Sequence, residues 1–199
     1  MSQLAAALTS LDEVLSQTAS TVSDRLQSGL TRAKIQQLTT SFSWVLPQDA
    51  YDLYQWHNGL SGKPGNLNLV ERLLRLKGKW HGELSGRENE IHLKYNDRPV
   101  VAKFLPLDYA LAGHRHLKLG RCPLDLLPIS VWSDSEKTFY CMMRLDAQPT
   151  IYCADGTNLP PMRVTETFLS TQTQFSQLSD LVEFLIPFCQ QALQLTSTK

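Results

Sequence analysis

This sequence has no net charge and no long run of apolar residues, and both absences restrict its function. Lysine and arginine number 19, as do aspartate and glutamate, so the formal net charge of the 199 residues is zero. A neutral chain has no overall attraction to phosphates or to anionic lipid. Since no run of about 18 apolar residues occurs, we expect no membrane-spanning helix. The chain therefore lacks the marks of a membrane protein and of a strongly basic nucleic-acid binder.

Cysteines are few, and none belongs to a C-x-x-C pair of the kind that marks zinc and redox sites. All four stand among apolar neighbours: Cys122, Cys141, Cys153 and Cys189. Buried free thiols behave as small hydrophobes, which favours a reducing compartment. Cys141 and Cys153 could pair if the chain were exported, since both lie on candidate neighbouring strands. The N-terminus has no basic residue before its first acidic pair, unlike a signal peptide, so we predict a cytoplasmic location. From the cysteine spacing we also predict that no metal is bound.

Hydrophobic residues make up 42% of the chain, enough for one folded domain of ordinary composition. Near the start, Leu4, Leu8, Leu11 and Leu15 recur at helical spacing. We expect this stripe to pack on the domain or on a second copy of the chain, because it lacks the basic face of a membrane-surface helix. We assign residues 1–30 to an N-terminal helical extension, with Val22 and Leu26 continuing the stripe, and residues 31–195 to a single α+β domain.

A helix with both ends marked is predicted over residues 46–59. Proline suits the first helical position, where its missing N–H has no partner to lose, so Pro47 marks the start. Asp49 then lies near the positive end of the helix dipole. Asn58 and Gly59 stop the helix, since glycine tolerates the left-handed conformation of a closing turn.

The rest of the chain predicts mostly strands and one closing helix. Alternation indicates strands at residues 66–70 and 91–95, and residues 100–104 form a further strand before a helical turn. Residues 127–132 and 138–145 form a hairpin, followed by a third strand at 150–153. Residues 175–195 have helical spacing, with Pro187 inside. The expected fold is an α+β antiparallel sheet covered on one face by the N-terminal and C-terminal helices.

The ordered set of segments resembles the SUKH superfamily. Its helix starts at Leu-Pro and ends at Asn-Gly, which is similar to Leu46, Pro47, Tyr51, Asn58 and Gly59 in this chain. Residues 127–134 look like the family strand that leads into an acidic loop. Residues 140–146 and 150–153 look like its next strand pair, and residues 175–185 look like its closing helix. The chain departs from the family at residues 135–137, which replace a glycine-rich hairpin loop.

The resemblance implies a non-enzymatic domain that binds another protein. In bacteria such domains look like immunity proteins that neutralise toxins, and in fungi a related module is linked to cell-wall signalling. Trp, Tyr and Arg dominate the energetics of protein interfaces. We therefore take as candidate partner-binding residues Trp132 beside the acidic loop, with Asp134, Glu136, Trp80 and Asp155. A core role is favoured for the tryptophans at positions 44 and 56.

The sequence predicts no catalytic or ligand site. His114 and His116 could share a strand face and bind a metal, but no third ligand is near in sequence, so surface or loop histidines are favoured. Asp134 and Glu136 could serve as an acid/base pair, yet they fall in a hairpin turn. His57, paired with Asp49 or a cysteine, has no supporting motif. Residues 62–65 lack the spacing of a phosphate loop, and no cofactor is expected.

Three alternatives stay open on the sequence. A hydrolase or transferase with an unrecognised site would need converging His, Asp or Cys side chains. A weak nucleic-acid binder could use the basic segment 72–80, in which Arg72, Arg75, Lys77 and Lys79 precede Trp80. A homodimer is the third, through the N-terminal helix.

Overall fold

The computed structural model describes residues 2–18, 26–60, 91–95, 98–133, 137–146, 148–156 and 161–194. Its helices are α1 (Gln3–Thr18), α2 (Arg32–Thr39), α3 (Gln48–Trp56), α4 (Leu107–Leu119), α5 (Glu166–Leu169) and α6 (Leu178–Gln194), with a 3₁₀ turn at Pro161–Arg163. Its strands are β1 (Leu26–Ser28), β2 (His57–Leu60), β3 (Ile91–Tyr95), β4 (Arg98–Phe104), β5 (Leu126–Ser133), β6 (Thr138–Arg144), β7 (Ile151–Asp155) and β8 (Thr173–Phe175).

The described strands form one six-stranded sheet and one small ribbon. The sheet has the order β3-β4-β5-β6-β7-β8, and every neighbouring pair runs antiparallel. Strands that follow one another in sequence also lie side by side, which makes the sheet a meander. The ribbon pairs β1 with β2, also antiparallel. The predicted α+β class with an antiparallel sheet is confirmed.

Helices α1, α3 and α6 cover one face of the sheet. The 17 residues of α6 span about 25 Å at 1.5 Å per residue, and five strand spacings span about 24 Å. The helix is therefore long enough to cross the sheet, and it contacts both edge strands, β8 and β3. Four leucines of α1, at positions 4, 8, 11 and 15, are buried in the same core cluster as Leu178 and Leu181 of α6. The N-terminal helix thus packs within the core.

The opposite face of the sheet is also packed, although the sequence pattern predicts no layer there. A second cluster joins the strand residues Val131, Tyr140 and Tyr152 to Leu117 of α4 and Leu169 of α5. The expectation of a sheet covered on one face is therefore wrong. These covering residues come from short elements between the long helices, where the apolar periodicity is too brief to indicate a layer.

Strand β2 begins where the sequence predicted the last turn of the helix. Helix α3 ends at Trp56, and Asn58 and Gly59 lie in β2 rather than closing a helical turn. Gly59 has a φ of 73°, and a Cβ there would stand 2.3 Å from the Pro106 backbone nitrogen. The Asn58 side-chain oxygen accepts the Leu107 N–H at 2.9 Å. Both residues therefore fix the approach of β2 to the start of α4, which explains a glycine here without a helix stop.

The same helix begins one residue later than predicted, since its first helical residue is Gln48 and not Pro47. Pro47 occupies the N-cap of α3, and Leu46 is buried. Tyr51 is buried as well, with the Arg32 guanidinium 4.4 Å from the centre of its ring. At the other side of the ribbon, Leu26 belongs to β1 and does not continue the first helix, so that part of the prediction is wrong.

Helix α4 is a longer element than the predicted helical turn. It runs over 13 residues and includes the segment from His114 to His116, which was expected on the surface or in a loop. His114 is only 4% exposed. The apolar positions Leu107, Leu111 and Leu117 keep helical spacing, but the intervening glycine and histidines dilute the signal. The surface prediction for His114 is therefore wrong.

Two of the four cysteines are joined. Cys141 of β6 and Cys153 of β7 face each other across the strands and form a disulfide. Cys122 and Cys189 are free and buried. The expectation of four free thiols is therefore wrong for the facing pair, because neighbouring strands bring the two Cα atoms to 4.2 Å. The cytoplasmic location that was argued partly from free thiols stays a prediction. Among the described helices, none is long and apolar enough to cross a membrane.

Candidate functional site

Trp132, the favoured interface residue, lies at the end of β5 in a row that crosses three strands. It faces Phe139 of β6, and Phe139 faces Asp155 of β7. Residues directly opposite in antiparallel strands project to the same side of the sheet. All three are partly exposed, and the Trp132 indole N–H donates to the Ser130 hydroxyl at 3.0 Å. The row therefore presents two aromatic rings and a carboxylate on the side covered by α1 and α6.

A break in strand register brings Trp132 to this side. Pro128 pairs with Met142 while Ser130 pairs with Cys141, so Ile129 is an extra residue in β5. Such a bulge places two residues opposite one and changes the phase of the alternation. As a result, both Ile129 and Trp132 lie on the helix-covered side.

An ion pair borders the row. The Lys137 ammonium lies 3.9 Å from the Asp155 carboxylate, and the two side chains are 55% and 39% exposed. A pair in this setting contributes little to folding stability because water and salt screen it. Exposed charges beside aromatic residues are typical of the polar rim of a protein interface.

An apolar cavity of about 90 Å³ lies beneath this side of the sheet. It is bounded by α1, α3, α6 and strands β4 and β5. Its lining is almost entirely aliphatic and aromatic, and includes Leu11, Trp56, Phe104, Trp132, Leu185 and Cys189. Burial raises the pKa of the Cys189 thiol to about 11, so this cysteine is a neutral lining group near pH 7.

Trp56 connects the cavity to the β1–β2 ribbon. Its ring lies edge-on to His57, with centroids 4.5 Å apart, and stacks on Phe104 at 6.4 Å. Within the described part of the chain, its buried indole N–H has no hydrogen-bond acceptor. His57 is held by the Gln27 carbonyl at 2.9 Å and by the Asp12 carboxylate at 3.6 Å. The nucleophile pairings considered for His57 are therefore not its contacts here.

His114 belongs to a separate polar cluster under α4. Its Nδ1 lies 3.1 Å from the Leu126 carbonyl, and the Trp44 indole N–H donates to its Nε2 at 3.0 Å. This arrangement requires the neutral tautomer with the proton on Nδ1. Burial, opposed by the Leu126 carbonyl and the Asp125 carboxylate, lowers the pKa of His114. The histidine thus orders the packing of Trp44 and β5, and metal binding would require displacing these partners.

Three of the predicted binding residues, Trp80, Asp134 and Glu136, lie outside the described residues. The other two, Trp132 and Asp155, are brought together in the row described above. Over the ranges that the structure describes, no group of three or more His, Cys, Asp or Glu side chains is arranged to hold a metal ion.

Two residues of this region, Phe139 and Trp56, were not predicted as site residues. Phe139 stands directly opposite Trp132 in the predicted hairpin, and cross-strand pairing could have identified it. Trp56 was correctly favoured as a packing residue, but its place beside a cavity depends on contacts between α3 and strands far away in sequence.

A scan against family models and a search of curated proteins both found no match for this chain. The resemblance to the SUKH superfamily therefore rests on the sequence segments alone.

Proposed function

We propose that this chain is a non-enzymatic, intracellular protein-binding module of the SUKH type, acting as an immunity protein or a regulatory scaffold. The observation that supports the proposal is the row of Trp132, Phe139 and Asp155, with Lys137 at its border. Aromatic side chains that are already partly ordered lose little conformational entropy when a partner covers them. Together with adjacent charges of both signs, they have the composition of an interface centre and rim.

The energetic roles within this surface differ. Trp132 is the proposed anchor, because tryptophans at interface centres commonly account for about 2 kcal/mol or more of binding free energy. Asp155 and Lys137 are the proposed rim, which steers association and selects partners by charge. Reversing a rim charge should slow association and change its salt dependence more than it changes dissociation.

The test is capture of a stoichiometric complex from the native source cells, using the full chain as bait. Trp132→Ala should lose the complex, and Asp155→Lys should weaken it in a salt-dependent manner. Leu119→Ala is the matched control, since Leu119 is 81% exposed and lies on α4. Circular dichroism should show that each variant is folded.

Two results would count against the proposal. One is recovery of a free monomer under mild conditions. The other is recovery of the same amount of complex with Leu119→Ala as with Trp132→Ala. If the complex is real, a toxin-domain gene beside the coding gene would favour immunity, and an isolated gene would favour a scaffold. Size-exclusion chromatography with light scattering separates a homodimer from a complex with another protein.

The competing functions have less support. The proposed basic nucleic-acid segment, residues 72–80, lies outside the described residues. His57, the candidate for catalysis, and His114, the candidate for metal binding, each have a ring nitrogen hydrogen-bonded to a backbone carbonyl. No specific observation favours either alternative over protein binding.

A further inference from the structure

The disulfide lies next to the row that contains Trp132. On β6, Cys141 stands two positions from Phe139, and on β7 its partner stands two positions from Asp155. Side chains two positions apart on a strand project to the same side of the sheet, about 7 Å from each other along the strand. On β5, Cys141 also faces Ser130, whose hydroxyl accepts the Trp132 indole N–H. The bridge and the row therefore share one side of the sheet and neighbouring positions on all three strands.

The sulfur bridge is the direct link between its two residues. Their Cα atoms are 4.2 Å apart, which is the close spacing of a non-hydrogen-bonded pair in an antiparallel ladder. Residues in such a pair exchange no backbone hydrogen bonds, so after reduction only the neighbouring pairs hold the strands together here. A crosslink stabilises a fold mainly by limiting the open states that the linked segments can reach.

The end of β7 beyond the bridge has a neighbouring strand on one side only. Cys153 is the last residue of β7 that pairs with β8, through Thr173. Ala154 and Asp155 pair with β6, and the Asp155 N–H donates to the Gln172 side chain at 3.3 Å. Segments with few hydrogen-bonding partners open most readily. The order of Asp155 in the row therefore depends on the bridge that anchors the preceding part of the strand.

Cys153 gives a reductant access to the bridge. It is partly exposed, whereas Cys141 is 2% exposed. A thiolate of a small dithiol attacks the Cys153 sulfur, which forms a mixed disulfide and releases Cys141 as a thiol after proton uptake. The second thiol of the reductant then displaces Cys153 and closes the reductant's own disulfide. Two electrons and two protons thus pass to the protein, and a low-molecular-weight disulfide such as oxidised glutathione reverses the exchange.

We propose that this disulfide is a redox switch for partner binding. The oxidised bridge holds Asp155 in the row, and reduction frees the end of β7 and weakens the complex. This inference rests on the proposed protein-binding function. A partner that must order the backbone of one freed residue loses conformational entropy, so reduction should weaken binding about five- to thirtyfold.

The first test needs neither a variant nor a partner. Amide hydrogen exchange is followed by NMR on the full chain, oxidised with glutathione disulfide or reduced with dithiothreitol. On reduction the amides of Asp155 and Gly156 should exchange faster, the second because its hydrogen bond to the Thr138 carbonyl closes this end of the ladder. Tyr152 lies on the other side of the bridge, between β6 and β8, and its exchange should not change. No change at Asp155 and Gly156, or an equal change at Tyr152, would overturn the proposal.

The second test measures binding with no reductant present, since a reductant would also act on the partner. Oxidised wild type and Cys153→Ser are used as baits in extract of the source cells, and the protein recovered is titrated against each. Cys153→Ser should bind it more weakly than the wild type does. Cys189→Ser is the matched control, because Cys189 is also buried but is free, and it should bind as the wild type does.

The two tests separate this inference from the proposed function. Equal affinity of the wild type and Cys153→Ser would overturn the switch and leave the proposed function standing. If neither bait recovers a complex, the proposed function fails. Faster exchange at Asp155 on reduction would in that case still support control of the end of β7 by the disulfide.

Discussion

Acidification should destabilise this protein through His114. Both ring nitrogens of the neutral side chain are in use, one toward the Leu126 carbonyl and one accepting from Trp44. A second proton on Nε2 would oppose the Trp44 N–H and break that hydrogen bond. Burial is the largest cause that lowers the pKa of His114 below its ordinary value of 6.5.

The direction of the pH effect follows from this shift. Above pH 6.5 the side chain is neutral in both the folded and unfolded states and contributes no pH dependence. As the pH falls below 6.5, the unfolded chain takes up the proton first, so the free energy of unfolding falls until the lower pKa of the folded state is passed. One lost hydrogen bond and burial of a charge on a side chain only 4% exposed oppose protonation in the folded state. Because one histidine changes the free energy of unfolding by at most about 1.4 kcal/mol for each pH unit below 6.5, the loss at pH 5.0 should be about 1–2 kcal/mol.

The assay is urea denaturation at pH 7.5 and pH 5.0, for the wild type and for His114→Asn. The asparagine amide can still donate to the Leu126 carbonyl but does not titrate, so its stability should change less between the two pH values. His114→Gln is the matched comparison, since its amide oxygen can accept from Trp44. Equal acid sensitivity in the wild type and both variants would refute the assignment.

Three further predictions concern backbone and thiol chemistry. Gly59→Ala should lower the free energy of unfolding by about 2 kcal/mol, from left-handed strain and contact with Pro106; unchanged denaturation would contradict it. Arg121 follows α4 with a φ of 66°, so Arg121→Gly should raise the free energy of unfolding by about 0.5–1 kcal/mol. A lower denaturation midpoint in this variant would count against the prediction. Thiol titration of the unfolded, unreduced protein should find two reactive cysteines and four after reduction; four before reduction would refute the disulfide between Cys141 and Cys153.

Local signals were sufficient for much of the fold. Strand alternation and a polar spacer identified the hairpin of β5 and β6, and helical spacing identified α1 and all of α6. These elements depend on residues close together in sequence. The length of helix α4 was underestimated because Gly113 and the histidines interrupt the apolar stripe in its sequence. In the structure its buried face is continuous.

The candidate site was less accessible from sequence because its parts come from distant segments. Trp132 and Asp155 were both selected, yet their place in one row depends on strand register. The cavity requires α1 and α6 to pack together, although they lie at opposite ends of the chain. The β2 strand was missed because a four-residue strand has too few positions for a period-two pattern.

The extra residue Ile129 has a consequence for how this surface can change over time. The bulge accommodates this residue without changing the pairs beside it, since Pro128 pairs with Met142 before it and Ser130 pairs with Cys141 after it. If Ile129 were deleted, Ser130 would follow Pro128 directly, and Trp132 would still face Phe139 in an uninterrupted ladder. Gain or loss of one codon at this position is thus compatible with the same aromatic row, whereas an inserted residue that formed no bulge would exchange the two faces of the final stretch of β5.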